Sequence, residues 1–274
     1  MTNPWLFRFS LFVCFATLLV LMMGAVVTDQ FVSAPATAAS SVAFAMHRHA
    51  AETVALLVLL VAGWANLGGS KQPLAKKLSW LAVVAVVAES ILGGAGVPLS
   101  ASLAFVHAFF GQAVFGSMAA VTMLLWPEWD GPATPLADKG WPSLRGLGRS
   151  TVLLIMIQIM LGAAFRHGFA GVIWHILGAF LVALYGVGLM VLLTQTQGGQ
   201  PLRPAVITLG VLLGIQVSIG MVLISISDAS KAPAVVLYST VAHVITGGLT
   251  FAVTIATSMT VWRNVRAVQS PDPE

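Results

Sequence analysis

Charged side chains make up only 8% of this 274-residue chain, and its 13 Lys and Arg are scattered instead of clustered. A soluble globular domain carries about a quarter charged residues, so water cannot be the solvent for most of this surface. The lack of a basic cluster also argues against nucleic acid as a partner, despite a net charge of +4 and a pI near 9.6. The single cysteine, Cys14, lies inside an apolar run, which excludes a disulfide framework. What fills the chain instead is apolar: 58% of residues are hydrophobic and the mean hydropathy is +0.94. The implied solvent is the lipid bilayer.

A hydrocarbon core of ~30 Å takes about 20 apolar residues as helix. Eight segments answer to that length, at about 9–28, 48–67, 78–95, 101–126, 149–165, 169–194, 204–226 and 234–262. The first resembles a secretory signal, with Arg8 before it and APATAAS after it. Its apolar run exceeds the ~7–15 residues of a signal core, so it reads as a retained helix. With the N-terminus cytoplasmic, ten of the Lys and Arg fall on the inner side: Arg8, Lys71, Lys76, Lys77, Lys139, Arg145, Arg149, Arg203, Arg263 and Arg266. Only Arg48, Arg166 and Lys231 fall outside. The positive-inside rule then puts both termini in the cytoplasm. Seven of the 8 tryptophans lie at the inner interface, and Trp174 alone at the outer one.

A Pro-, Gly- and charge-rich stretch at 127–148 divides the chain into residues 1–126 and 149–274, each with four helices. The halves share a pattern. Glu89 and Gly93, Gln158 and Gly162, and Gln216 and Gly220 each stand one turn apart on one helix face near the outer end. The first helix has Gly24, with Val20 in the polar place. A glycine there admits a neighbouring helix or a flat ligand close to the backbone. The expected fold is an all-α membrane protein of eight transmembrane helices, arranged as two tandem pseudo-symmetric four-helix bundles related about the membrane normal.

Each even helix also carries a histidine near the outer surface: His47, His107, His175 and His243. The residue four further on is small every time, as Ala51, Gly111, Ala179 and Gly247, and a large side chain there would block a planar macrocycle. One membrane histidine is commonly a packing residue, but four matched in depth point to a function. Zinc sites add Cys, Asp or Glu at close spacing, and that spacing is missing. Imidazoles from facing helices suit haem, with axial histidines on the iron and an arginine near the propionates. Two haem sites follow, one per half. Arg166 is the candidate propionate partner, and Trp174 is an interface anchor beside His175. His167 has no periodic relative and reads as a proton relay or a solvated residue. His49 faces away from His47, and Glu52 is the helical salt partner of Arg48.

Together these residues make the chain resemble the haem A synthase family of cytochrome oxidase assembly proteins. The resemblance rests on His47 with Arg48, LGG at 92–94 followed by His107, IQIMLGAAFRH at 157–167, WHILGA at 174–179, IQVSIG at 215–220, and His243. It implies a membrane oxidoreductase that oxidises a methyl group of haem O to the formyl group of haem A. His175 and His243 would ligate a haem b cofactor through its iron, assisted by Arg166 and Trp174. His47, Arg48 and His107 would hold the haem O substrate. The implied setting is the bacterial cytoplasmic membrane, with haem O synthase, oxidase assembly factors and an electron donor as partners, and homo-oligomerisation left open. The chain departs from the family in having Phe44 three residues before His47, where a glutamate is usual, and in lacking a cysteine pair in the first outer loop. Glu89 is then the candidate catalytic acid. The alternative is a non-catalytic bis-histidine cytochrome b that carries electrons or haem.

Overall fold

A computed structural model describes residues 2–33, 38–94, 99–138, 141–226 and 232–267. Lys139 and Lys231 of the charge count, and residues 34–37 of the first outer loop, lie outside them. Eight α-helices run through the described residues: α1 Pro4–Ser33, α2 Ala38–Trp64, α3 Pro73–Gly93, α4 Ala101–Leu125, α5 Leu144–Arg166, α6 Val172–Gln195, α7 Arg203–Ser225 and α8 Pro233–Asn264. Their apolar composition writes most of this, and local signals set several ends. Ser100 and Ser143 cap α4 and α5 by accepting from the backbone N–H groups of Leu103 and Gly146. Proline opens α3, α7 and α8, where no intrahelical donor is lost. After α5 the chain turns at Gly168, whose φ of 79° is open to glycine and strained for other residues.

One start differs from expectation. The second helix was expected from about residue 48, at the polar HRH, but α2 begins at Ala38. The small and apolar residues ahead of His47 continue the helix, so His47 sits more than two turns inside it.

Among the described residues, seven helices are long and apolar enough to cross a membrane. The remaining one, α3, falls short because any 18-residue stretch of it contains Lys76, Lys77 and Glu89.

Helix α1 packs on α2 and α4, α2 on α3, and α3 on α4, so the first four helices close on themselves. In the same order α5 packs on α6 and α8, α6 on α7, and α7 on α8. The two sets meet chiefly through α4 and α8, with α1 on α8 and α4 on α5 beside them. At that seam the ring of Phe251 lies against Gly116, and Phe115 and Leu18 lie against Gly248. Phe115 is eight residues after His107, and Phe251 is eight after His243. Each of these matching phenylalanines therefore packs on a glycine of the other half's last helix. Lipid is as apolar as leucine, so close packing on small residues holds such a seam together.

The far end of the molecule from the histidines is tied by the segment that joins the halves. Strand β1 (Leu136–Asp138) pairs in parallel with β2 (Val265–Ala267). Arg145 donates to the carbonyls of Trp262 at 3.1 Å and Val265 at 2.8 Å. Arg263 donates to the carbonyls of Glu128 at 3.4 Å and Gly131, and the Thr134 amide to Asn264 at 3.2 Å. The described residues of the expected 127–148 linker thus clamp the end of α8. Their polar backbone needs partners, and the end of α8 supplies them.

Candidate functional site

The four histidines of the even helices each lie against the glycine of the preceding odd helix. A Cβ built on Gly24 would stand 3.2 Å from Cε1 of His47, and on Gly93 2.8 Å from Cε1 of His107. The corresponding distances are 2.9 Å for Gly162 and His175 and 3.3 Å for Gly220 and His243. The glycines expected to admit a helix or a macrocycle therefore admit an imidazole. One arrangement is repeated four times, once in each hairpin of helices.

One turn before each glycine stands the residue that meets the ring. Nε2 of Gln158 lies 3.0 Å from Nδ1 and 3.3 Å from Nε2 of His175, and donates to its backbone carbonyl at 2.9 Å. Nε2 of Gln216 lies 3.1 Å from Nε2 of His243, and its Oε1 accepts from Thr246. Oε1 of Glu89 is 3.1 Å from Nδ1 of His107, an ion-pair distance, although the groups are not aligned as a hydrogen bond. The backbone contributes as well: His47, His175 and His243 interact with the main chain of Val20, Gln158 and Gln216. That explains how valine can occupy the polar place in α1. The glycines four after His107 and His243 lie against the same partners. Glu89 Oε1 lies 3.1 Å from the position of a Cβ on Gly111, and Gln216 Nε2 lies 3.1 Å from that on Gly247.

The histidines pair across each half. The rings of His47 and His107 have centroids 6.2 Å apart, and those of His175 and His243 6.1 Å apart. Two imidazoles binding one metal from opposite sides, each at about 2.0 Å, would place their ring centres about 6 Å apart. Nδ1 of His47 and of His243 is buried without a hydrogen-bond partner. Around His47 and His107 opens a cavity of about 240 Å³, lined among others by Phe44, Arg48, Glu89 and Gly111. No group of three or more His, Cys, Asp or Glu able to hold a metal ion occurs among the described residues. A pair of imidazoles fits a metal that arrives with ligands of its own.

The other expected site residues divide. Arg48 lines the cavity and holds Glu52 at 3.0 Å, as expected of a helical pair, while His49 turns to the other carboxylate oxygen of Glu52 at 3.2 Å. Trp174 is exposed beside His175. Arg166, expected beside propionates, reaches across to the first half, where Nη2 lies 3.5 Å from Asp29 Oδ1 and 3.5 Å from the Ala25 carbonyl. His167 is half-buried, and its Nε2 has no hydrogen-bond partner. Burial, then the Arg166 cation, hold its imidazole below the ordinary range. It is therefore neutral at pH 7.

Asp29 is the residue that reading the sequence overlooks. An isolated acid near the end of an apolar helix requires a cation, and the outer side offers few.

A family of proteins described as cytochrome oxidase assembly protein matches residues 41–176 by its sequence profile. The match takes in His47, His107 and His175 and ends before α7. No curated protein matches the chain.

Proposed function

We propose that the chain, whose residues 41–176 match the cytochrome oxidase assembly protein family, a family that serves haem A synthesis in the broad sense, is a haem A synthase-like membrane oxidoreductase. Its substrate is haem O and its product haem A. The observation that carries the proposal is the pair of facing histidines in each half, at ring separations of 6.2 and 6.1 Å. A porphyrin would bring its iron with nitrogen ligands of its own, and His47 with His107, and His175 with His243, would be the residues that hold it. All eight helices cross the bilayer in this reading, as two four-helix bundles, 1–126 and 149–274. Lys76 and Lys77 of α3 extend their charged ends to the interface. Both termini and the 127–148 clamp face the cytoplasm.

His175 and His243 hold a haem b cofactor, and His47 and His107 flank the substrate. Bound haem supplies the redox-active iron. The protein's share is orientation and proton handling. Gln158 and Gln216 fix the imidazole planes of the second half, and ligand-orienting partners of this kind tune the metal they serve. Glu89 does more than a glutamine can. One of its oxygens faces His107, and Oε2 is buried without a partner. That oxygen is where a proton is held beside the cavity. Arg48, half-exposed at the rim, is the cation within reach of a substrate carboxylate.

The alternative, a bis-histidine cytochrome b without catalysis, draws on Phe44, which lines the cavity where the family's glutamate is usual. Supplying haem O to membranes that contain the full-length chain decides between them. Mass-identified haem A is the expected product. Haem O left unchanged, with haem still bound to the chain, gives the cytochrome reading.

A further inference from the structure

The turn between α5 and α6 belongs to the second half, yet its side chains lie on the first. Arg166 reaches Asp29 and the carbonyl of Ala25 on α1. Three residues on, the ring of Phe169 meets that of Phe105 on α4, with centroids 5.5 Å apart. Both landing points adjoin the first histidine pair. Ala25 follows Gly24, on which His47 rests, and Phe105 is two residues before His107. The turn's own roots lie in the second pair, because Arg166 stands one turn beyond Gly162, on which His175 rests.

We propose that this turn is a clasp, with Arg166, Asp29 and Phe169 as positioning residues for the His47 and His107 site. The inference rests on the haem reading given above. The physical argument is one of constraint. Both ionic side chains are largely covered, with 27% and 15% of their surface exposed. Breaking such a pair from one side strands a charge in a poor solvent. The pair therefore fixes the outer end of α1 against α5, while Phe169 fixes the start of α4. Helix α4 carries His107, and α1 carries Gly24, against which His47 of α2 rests, so both histidines lean on the helices that the turn holds. Arg166 thereby acts on the first half's haem, whereas a propionate partner would act on the second half's.

The test is a titration of the full-length chain with haem B, read by absorbance, in two backgrounds. His175→Ala with His243→Ala isolates the first site, and His47→Ala with His107→Ala isolates the second. Arg166→Met and Asp29→Asn are each expected to weaken the first site about ten-fold, within the usual range of coupling between sites, and to leave the second unchanged. The exchange Asp29→Arg with Arg166→Asp is expected to restore the first site, which separates positioning from a general loss of folding. Phe169→Ala repeats the effect without touching a charge. Loss at the second site on Arg166→Met, with Asp29→Asn silent, would overturn the clasp in favour of a propionate contact. Equal loss at both sites without rescue by the exchange would overturn it as mere destabilisation. Should both sites take up haem and no variant alter the first, the clasp alone falls. Should neither site take up haem in a chain with all four histidines intact, the haem reading falls and the clasp with it.

Discussion

Gly24 and His47 meet at the point where a glycine lacks a side chain, with Cε1 of the imidazole 3.2 Å from the position a Cβ would take. The same contact recurs in three further hairpins, and its closeness is graded. Overpacking of this kind costs about 1–3 kcal/mol. Alanine at Gly93 or Gly162, where the distances are 2.8 and 2.9 Å, forces the ring to move. At Gly220, where it is 3.3 Å, a small adjustment suffices. Reduced-minus-oxidised spectra of the purified variants should therefore show larger haem losses for Gly93→Ala and Gly162→Ala than for Gly220→Ala. Equal losses across the series would contradict this role of the glycines.

His167 lies outside the repeated pattern, although it is only eight residues from His175. His175→Ala is expected to remove the haem of the second half, and His167→Ala to leave haem content and spectrum intact. A spectrum altered by His167→Ala to the same extent would make it a ligand.

Glu89 replaces a residue that is glutamine in α5 and α7. Glu89→Gln keeps the shape and removes the ionisable oxygen. Haem A formation from supplied haem O is expected to fall at least about a hundred-fold, the range of general acid–base contributions, while haem stays bound. Haem A at the parental level would leave Glu89 with only an orienting role on His107.

How much of this was legible beforehand follows from the kind of signal each feature leaves. Helix number and the four histidines with their glycines are written in period and composition, which a membrane-spanning sequence displays plainly. Their pairing, His47 with His107 and His175 with His243, also follows once helices are taken in order. The target of the glycines does not follow, since a missing side chain says that something is near without naming it. Arg166 is expected beside a propionate because a guanidinium near the water interface suits one, and nothing local in the sequence ties it to α1. Its partner, Asp29, is 137 positions away, beyond the reach of any local pattern. Likewise the start of α2 was hidden because HRH looks like a helix boundary, while the nine residues before it are helical.

Orientation rests on charge and has a direct check. With Ser100→Cys introduced at the start of α4, an impermeant thiol reagent is expected to label the chain from the outer side of the membrane. A cysteine in place of Gly131, in the 127–148 clamp, should react only from the cytoplasmic side. The reverse pattern would invert the topology.

The central claim, that each facing histidine pair holds one haem, is tested most directly by counting haem per chain in purified full-length protein loaded with haem B. The account predicts two haems in the unmodified chain, one after His107→Ala and one after His243→Ala, and none when both changes are combined. A count that stays unchanged in both single variants, or falls to zero in either one, would contradict it.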